Sequence, residues 1–241
     1  MKYVVESLAD ALMPRLCPVC GRSLVRGEKL MCTRCMMALP RTRSHLQRDN
    51  SIMARLSRPG LEPVLAAAWM EYSRHSPYAA IIRDAKYNSM PRLARDAGEM
   101  MAREMIADGM GEVLADIDVL LPVPMHWTKL LRRGYNQSRM VADGIAAATG
   151  IAVGDNLRSA RRHSTQTRRS AEERRRNVAG TVRIADAGEL RGLHVAVVDD
   201  VITTGATMAD ALRALTTEAE PRAVSVLALA AVHADEWGMR Q

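Results

Sequence analysis

Phenylalanine is absent from the 241 residues of this chain, and aromatic side chains make up only 3% of it. A core built almost without rings must be filled otherwise, and the 16 methionines are suited to it, since a flexible thioether packs irregular gaps. No apolar run approaches the roughly 18 residues of a membrane-spanning helix. The opening stretch, MKYVVESLADALMPRL, carries Glu6 and Asp10 where a secretory signal keeps an unbroken apolar segment. Internal repeats are absent, which excludes a solenoid. Cysteine is scarce: the four present all lie between positions 17 and 35, too confined for a disulfide framework spread over the chain. These absences predict a cytoplasmic protein with reduced thiols, in which paired cysteines hold metal.

Charge and hydrophobicity are ordinary for a folded chain, at 25% charged and 48% hydrophobic residues. The net charge of +7 favours an anionic partner: nucleic acid, a membrane surface or a phosphorylated metabolite. Residues 1–16 place Val4, Val5, Leu8, Leu12 and Leu16 at helical spacing. The polar, basic stretch from Pro40 to Pro63 reads as a linker with one short helix. Beyond it the texture alternates. VLAAAWMEY, IDVLLPVP, LHVAVVDD and AVSVLALAAV read as strands, and residues 76–109, YNQSRMVADGIAAATG and TMADALRALTTEA as helices, the first interrupted at Pro91. Continuous apolar strands alternating with helices predict an α/β domain with a mainly parallel sheet flanked by helices. The expected organisation is residues 1–40 as a helix and metal ribbon, 41–63 as linker, and 64–241 as the α/β domain.

Cys17, Cys20, Cys32 and Cys35 form two C-x-x-C knuckles separated by eleven residues. Four thiolates fill the tetrahedral shell of a structural zinc and leave no position open for chemistry. A redox pair would need only one knuckle, and a rubredoxin-type iron centre is the other alternative; ligand softness and geometry favour zinc.

The stretch VVDDVITTGAT puts Asp199 and Asp200 at the end of a buried strand, where ligands of open α/β sheets bind. The two carboxylates suit the vicinal hydroxyls of a ribose. Thr203, Thr204, Gly205, Ala206 and Thr207 then open a helix whose amides form an anion cup, with Gly205 letting the backbone close around a phosphate. Plain helix capping explains less, because one cap suffices and two acids precede the loop. This pattern resembles the signature of type I phosphoribosyltransferases, which implies binding of 5-phosphoribosyl 1-diphosphate with Mg²⁺ and makes Asp199 and Asp200 the catalytic candidates.

The four-cysteine unit, PVP (Pro122 to Pro124), RRGYNQS and the basic segment RSARRHSTQTRRSAEERRRNVAG, taken in this order, resemble the ComF/GntX family over nearly the whole chain. Members of that family usually carry Phe where Tyr135 and Val182 stand here. The resemblance implies a role in competence, DNA uptake or DNA utilisation. It also turns Lys86, Arg133 and Arg174 toward a diphosphate; a guanidinium bridging two oxygens is a good fit for that group. For Lys86 a solvated position on its helix is the competing reading, and for Asn136 and Gln137 it is helix capping. The run Arg158–Arg176, with eight arginines, reads as a solvated face, a nucleic-acid patch or a loop that folds over diphosphate; Gln166, Arg174 and Asn177 match the family pattern. An acceptor site is not legible: Thr203 stands where hypoxanthine-guanine enzymes carry an acid that serves the base. Two roles therefore remain open, an enzyme of unknown acceptor and a binding module with protein partners in DNA uptake or recombination. Direct nucleic-acid binding through the ribbon is a third.

Overall fold

Runs such as Val195–Val198 have no polar face to turn to water, so they fold as strands covered on both sides. The computed structural model describes residues 14–58, 60–87, 90–160 and 180–232. Strands β1 (Leu65–Tyr72), β2 (Val119–Pro122), β3 (Ala152–Val153), β6 (His194–Ile202) and β7 (Ala223–Val232) make one sheet in the order β1-β7-β6-β2-β3. Every pairing in it is parallel. β4 (Leu157–Ser159) and β5 (Val182–Ile184) form a separate antiparallel pair. The expected class, a mainly parallel sheet flanked by helices with a four-cysteine unit before it, is the architecture observed.

Two apolar layers cover the sheet. On one face α3 (Ala79–Tyr87), α4 (Pro91–Met105) and α6 (Gln137–Thr149) contribute Ile81, Met101 and Val141 against Ala196 and Val198. On the other, α2 (Ser51–Leu56) and α7 (Ala206–Ala214) bring Ile52, Leu56, Met208 and Leu212 against Val195 and Val197. The alternation along β6 is the two-residue period of a strand. Methionines occupy the core as expected, with Met70, Met101, Met105 and Met208 all buried. Helices α4 and α6 touch backbone to backbone at two glycines: a Cβ on Gly98 would lie 2.3 Å from the carbonyl oxygen of Val141, and one on Gly144 2.0 Å from that of Arg95.

The stretch expected as a linker is packed along the free edge of β1. The Thr42 amide donates to the Trp69 carbonyl at 3.1 Å, the Glu71 amide to the Pro40 carbonyl at 2.8 Å, and the Ala68 amide to the Ser44 hydroxyl at 2.9 Å. Asn50 caps α2 through Oδ1 while its amide donates to the carbonyls of Ser44, Gln47 and Ala66. Polar side chains here serve a strand edge that would otherwise stand open. The cysteine unit, with its short helix α1 (Thr33–Met37), joins the same core: Leu30, Met31 and Leu39 are buried in it, and the Tyr78 hydroxyl donates to the Cys35 carbonyl at 2.8 Å.

At the opposite, amino-terminal end of the sheet, His194 bridges Asp116 (2.7 Å from Nδ1) and the Ser225 hydroxyl (2.8 Å from Nε2). This has the connectivity of a hydrolytic triad, but Ser225 is 0% exposed, so its hydroxyl meets no substrate and the trio fastens strand starts. No helix among the described residues is long and apolar enough to cross a membrane. The helix expected within residues 1–16 falls almost wholly outside the described residues, as do most of Arg158–Arg176, Arg174, Gln166 and Asn177 included, and the tail 233–241.

Candidate functional site

β6 delivers Asp199 and Asp200 to the carboxyl end of the sheet, beside Pro122 of β2 on one side and Ala228 of β7 on the other. Gly205, at φ 76°, turns the chain into α7 from a left-handed conformation that glycine adopts without a Cβ penalty. Asp199, Thr203, Thr204, Gly205, Ala206 and Thr207 line an open cup of about 230 Å³ at the start of that helix. Thr203, Thr204 and Thr207 are exposed to it. The positive dipole end of this nine-residue helix favours an anion there; its first amide, that of Ala206, donates to the Thr204 hydroxyl at 3.4 Å.

The acid pair is held by residues from the opposite layer. The Ser138 hydroxyl, in the first turn of α6, donates to Asp199 Oδ1 at 2.8 Å, and the Asp200 amide donates to the same oxygen at 2.8 Å. Lys86 Nζ, at the end of α3, lies 2.6 Å from Asp200 Oδ2. The solvated reading of Lys86 is therefore replaced by an ion pair inside the site. Burial first, and then the negative charge of Asp200, push the Asp199 carboxyl from 3.8 up to about 7, against the pull of Ser138, the Asp200 amide and Lys86. A carboxylate so disfavoured in its charged form suits a place where a ligand's hydroxyls or a cation complete it.

Asn136 caps α6 by accepting from the Ser138 amide at 3.1 Å and donates to the Val123 carbonyl at 2.9 Å, tying the helix to the PVP turn. Gln137 is 1% exposed and serves the interior: its Oε1 accepts from Arg133 Nη1 at 3.1 Å, and its amide and the Tyr135 hydroxyl both donate to the Ala85 carbonyl. Capping and packing thus account for both residues. Arg133 ends α5 (Trp127–Arg133) and is placed against the start of α6, on Gln137.

Two participants had no signal in the sequence. Ser138 follows the Asn-Gln pair, but nothing in its spacing points to Asp199. Arg55, in the supposed linker, is 6% exposed and donates to the carbonyls of Thr203 (3.2 Å) and Val232 (2.6 Å), joining the cup to the end of β7. Beneath the cup, a Cβ on Gly205 would meet Leu56 Cδ2 at 3.1 Å. Behind it, the Asp210 carboxylate of α7 accepts from the amides of Gly180, Thr181 and Val182, fixing the descending limb of the β4–β5 pair to the same helix.

The second centre is the cysteine cluster, whose four sulfurs lie within 4.8 Å of one another. Cys20 and Cys32 are separated by 3.7 Å, close to the edge of about 3.8 Å that a tetrahedron with Zn–S bonds of about 2.3 Å requires. Burial works against the Cys17 thiolate, but the amides of Cys32, Cys20 and Val19 bring its thiol down to about 7. Burial and then the neighbouring sulfurs push Cys35 upward, so four thiolates gather here only around a cation. The cage fits zinc, with Cys17, Cys20, Cys32 and Cys35 as its holders.

No family model matches the chain. It is 27% identical over 196 residues, 81% of either chain, to a protein of Escherichia coli O157:H7 named DNA utilization protein YhgH. It is 34% identical over 93 residues to Competence protein F of Haemophilus influenzae, covering 38% of this chain and 41% of that one. The resemblance to the ComF/GntX family is borne out by these relatives. Among solved structures, glutamine phosphoribosylpyrophosphate amidotransferase from B. subtilis, complexed with ADP and GMP, aligns at 25% identity and a TM-score of 0.35. That alignment spans 56% of this chain and only 26% of the other.

Proposed function

We propose that the protein binds 5-phosphoribosyl 1-diphosphate, or a related ribose 5-phosphate ligand, at the carboxyl end of β6, and serves DNA uptake or the use of DNA. One observation carries the ligand: at the end of β6 a lysine-held acid pair abuts the threonine-rich cup at the start of α7. Asp199 and Asp200 accept from the ribose hydroxyls, and the amides and hydroxyls of Thr203 to Thr207 surround the 5-phosphate. Mg²⁺, when bound with the ligand, neutralises diphosphate charge; the hard carboxylate oxygens of Asp199 and Asp200 are the donors that fit it. Lys86, and with it Arg133 and Arg174, supplies cationic charge for the diphosphate. The DNA role is supported by the relatives' names, DNA utilization protein and Competence protein F.

Binding is the claim, ahead of turnover. Thr203 offers a hydroxyl where an acid would serve a purine base, so the loop does not by itself specify an acceptor. The zinc-holding unit gives a second surface, suited to protein partners in uptake or recombination. Calorimetric titration of the full chain with 5-phosphoribosyl 1-diphosphate and Mg²⁺ tests the ligand. Saturable heat in the wild type that disappears in Asp199→Asn/Asp200→Asn is expected; no heat in the wild type would sink the reading.

A further inference from the structure

The buried guanidinium of Arg55 reaches the cup from behind. Arg55 is 6% exposed, belongs to the last turn of α2 and does not line the cup, yet its Nη1 donates to the Thr203 carbonyl at 3.2 Å. The next residue of α2, Leu56, lies against the same loop, since a Cβ on Gly205 would meet its Cδ2 at 3.1 Å. Helix α2 therefore underlies the turn from Thr203 to Gly205, and the cup opens on the other side. Nη2 of Arg55 donates to the Val232 carbonyl at 2.6 Å, so one rigid fork spans the loop after β6 and the end of β7.

Peptide geometry makes this contact directional. The bond from Thr203 to Thr204 is trans and planar, so its carbonyl and its N–H point in opposite directions. A Thr203 carbonyl drawn back toward Arg55 turns the Thr204 N–H forward, to the side on which Thr203, Thr204 and Thr207 are exposed. No acceptor for that N–H lies among the described residues. It adds to the amides of α7 a donor that precedes the helix, as in backbone cradles for anions. Water could satisfy a carbonyl at a strand end, whereas burial works against the charged guanidinium. Its retention there is explained by a peptide unit that must not turn. Helix α2 is itself fixed, for Asn50 accepts from the Ile52 and Met53 amides and donates to the Ala66 carbonyl of β1 at 3.0 Å.

We propose that Arg55 is the positioning residue of the cup: by holding the Thr203 carbonyl it fixes the Thr204 amide facing into the cup, as a donor for phosphate. That phosphate is what the cup takes rests on the function proposed above; the orientation of the peptide does not. Residual dipolar couplings of the Thr204 N–H in the ligand-free full chain read the orientation, and titrations with ribose 5-phosphate and with inorganic phosphate read its effect. In the wild type the N–H vector points away from α2. Arg55→Met changes the Thr204 coupling and leaves those of Ala206 and Thr207, which belong to α7, as they were. It weakens both ligands by about tenfold or more, the scale of one hydrogen bond to a charged group, and abolishes the ligand-induced shift of the Thr204 amide alone. Arg55→Lys, which keeps a donor for the Thr203 carbonyl, recovers part of both losses. A wild-type vector directed toward α2 overturns the proposal whether or not any variant folds. So does an Arg55→Met protein with an unchanged Thr204 coupling, or one in which every loop amide loses its response together, as a general packing defect would cause. If the wild type binds neither phosphate nor ribose 5-phosphate while the couplings behave as described, the phosphoribosyl reading falls and the orienting role of Arg55 stands.

Discussion

Asp199→Asn is expected to stabilise the fold at alkaline pH while it disables the site. The wild-type carboxyl holds its proton up to about 7 instead of 3.8, chiefly because folding buries it and places Asp200 beside it. The folded chain therefore binds more protons than the unfolded chain between these values, and stability falls as pH rises through that window. At about 1.4 kcal/mol per pH unit, the cost of ionising Asp199 approaches about 4 kcal/mol above pH 7. The variant's amide retains an oxygen for the Ser138 hydroxyl and the Asp200 amide, so the local hydrogen bonds survive. It never has to be ionised. Urea unfolding at pH 5 and pH 8 reads the difference: Asp199→Asn gains more stability at pH 8 than at pH 5, by about 3 kcal/mol. A gain independent of pH, or a loss that grows toward pH 8, would refute the reasoning that burial and Asp200 strain this carboxylate. Stability recovered on removing a group is the mark of a residue kept for binding.

Lys86→Met removes the cation 2.6 Å from Asp200; a loss of about 1–3 kcal/mol in stability and an upward move of the Asp199 titration, followed by carboxyl NMR, are expected. Gly144→Ala drives a methyl against backbone on two sides, at 2.0 Å from the Arg95 carbonyl and 2.8 Å from the Glu99 amide. It should cost at least about 3 kcal/mol and lower the melting temperature by roughly 6 °C or more, whereas Gly111→Ala, with nothing within 4 Å, should be neutral or mildly stabilising. Chelation should withdraw one zinc per chain and lower the melting temperature of the whole fold, because Leu30, Met31 and Leu39 belong to the same core as the sheet. Cys20→Ser, at the exposed ligand, should mimic it in metal analysis and in the thermal scan.

The sheet was legible because its strands are buried on both faces, and LHVAVVDD or AVSVLALAAV fits little else. The cysteine knuckles were legible from spacing, and the acid pair from its place behind an apolar run. What escaped notice had a common cause. Thr42, Ser44 and Asn50 look the same in a solvated linker as along a strand edge, since their composition is polar in either case. β4 and β5 are three residues each, too short to show a period. The partnerships of Lys86 with Asp200 and of Ser138 with Asp199 depend on how α3 and α6 stack across the sheet, which no local pattern encodes. Arg55 was masked by its neighbours: one arginine among several in a basic stretch carries no sign that it alone is buried.

The central claim is that the loop after β6 cradles a ribose phosphate, and amide chemical-shift mapping of the full chain titrated with ribose 5-phosphate tests it most directly. Saturable shifts at the amides of Thr203, Thr204, Gly205, Ala206 and Thr207, with Asp199 and Asp200 responding and the cysteine unit silent, are predicted. Shifts confined to the arginine-rich segment or to the cysteine unit, with that loop unmoved, would contradict it.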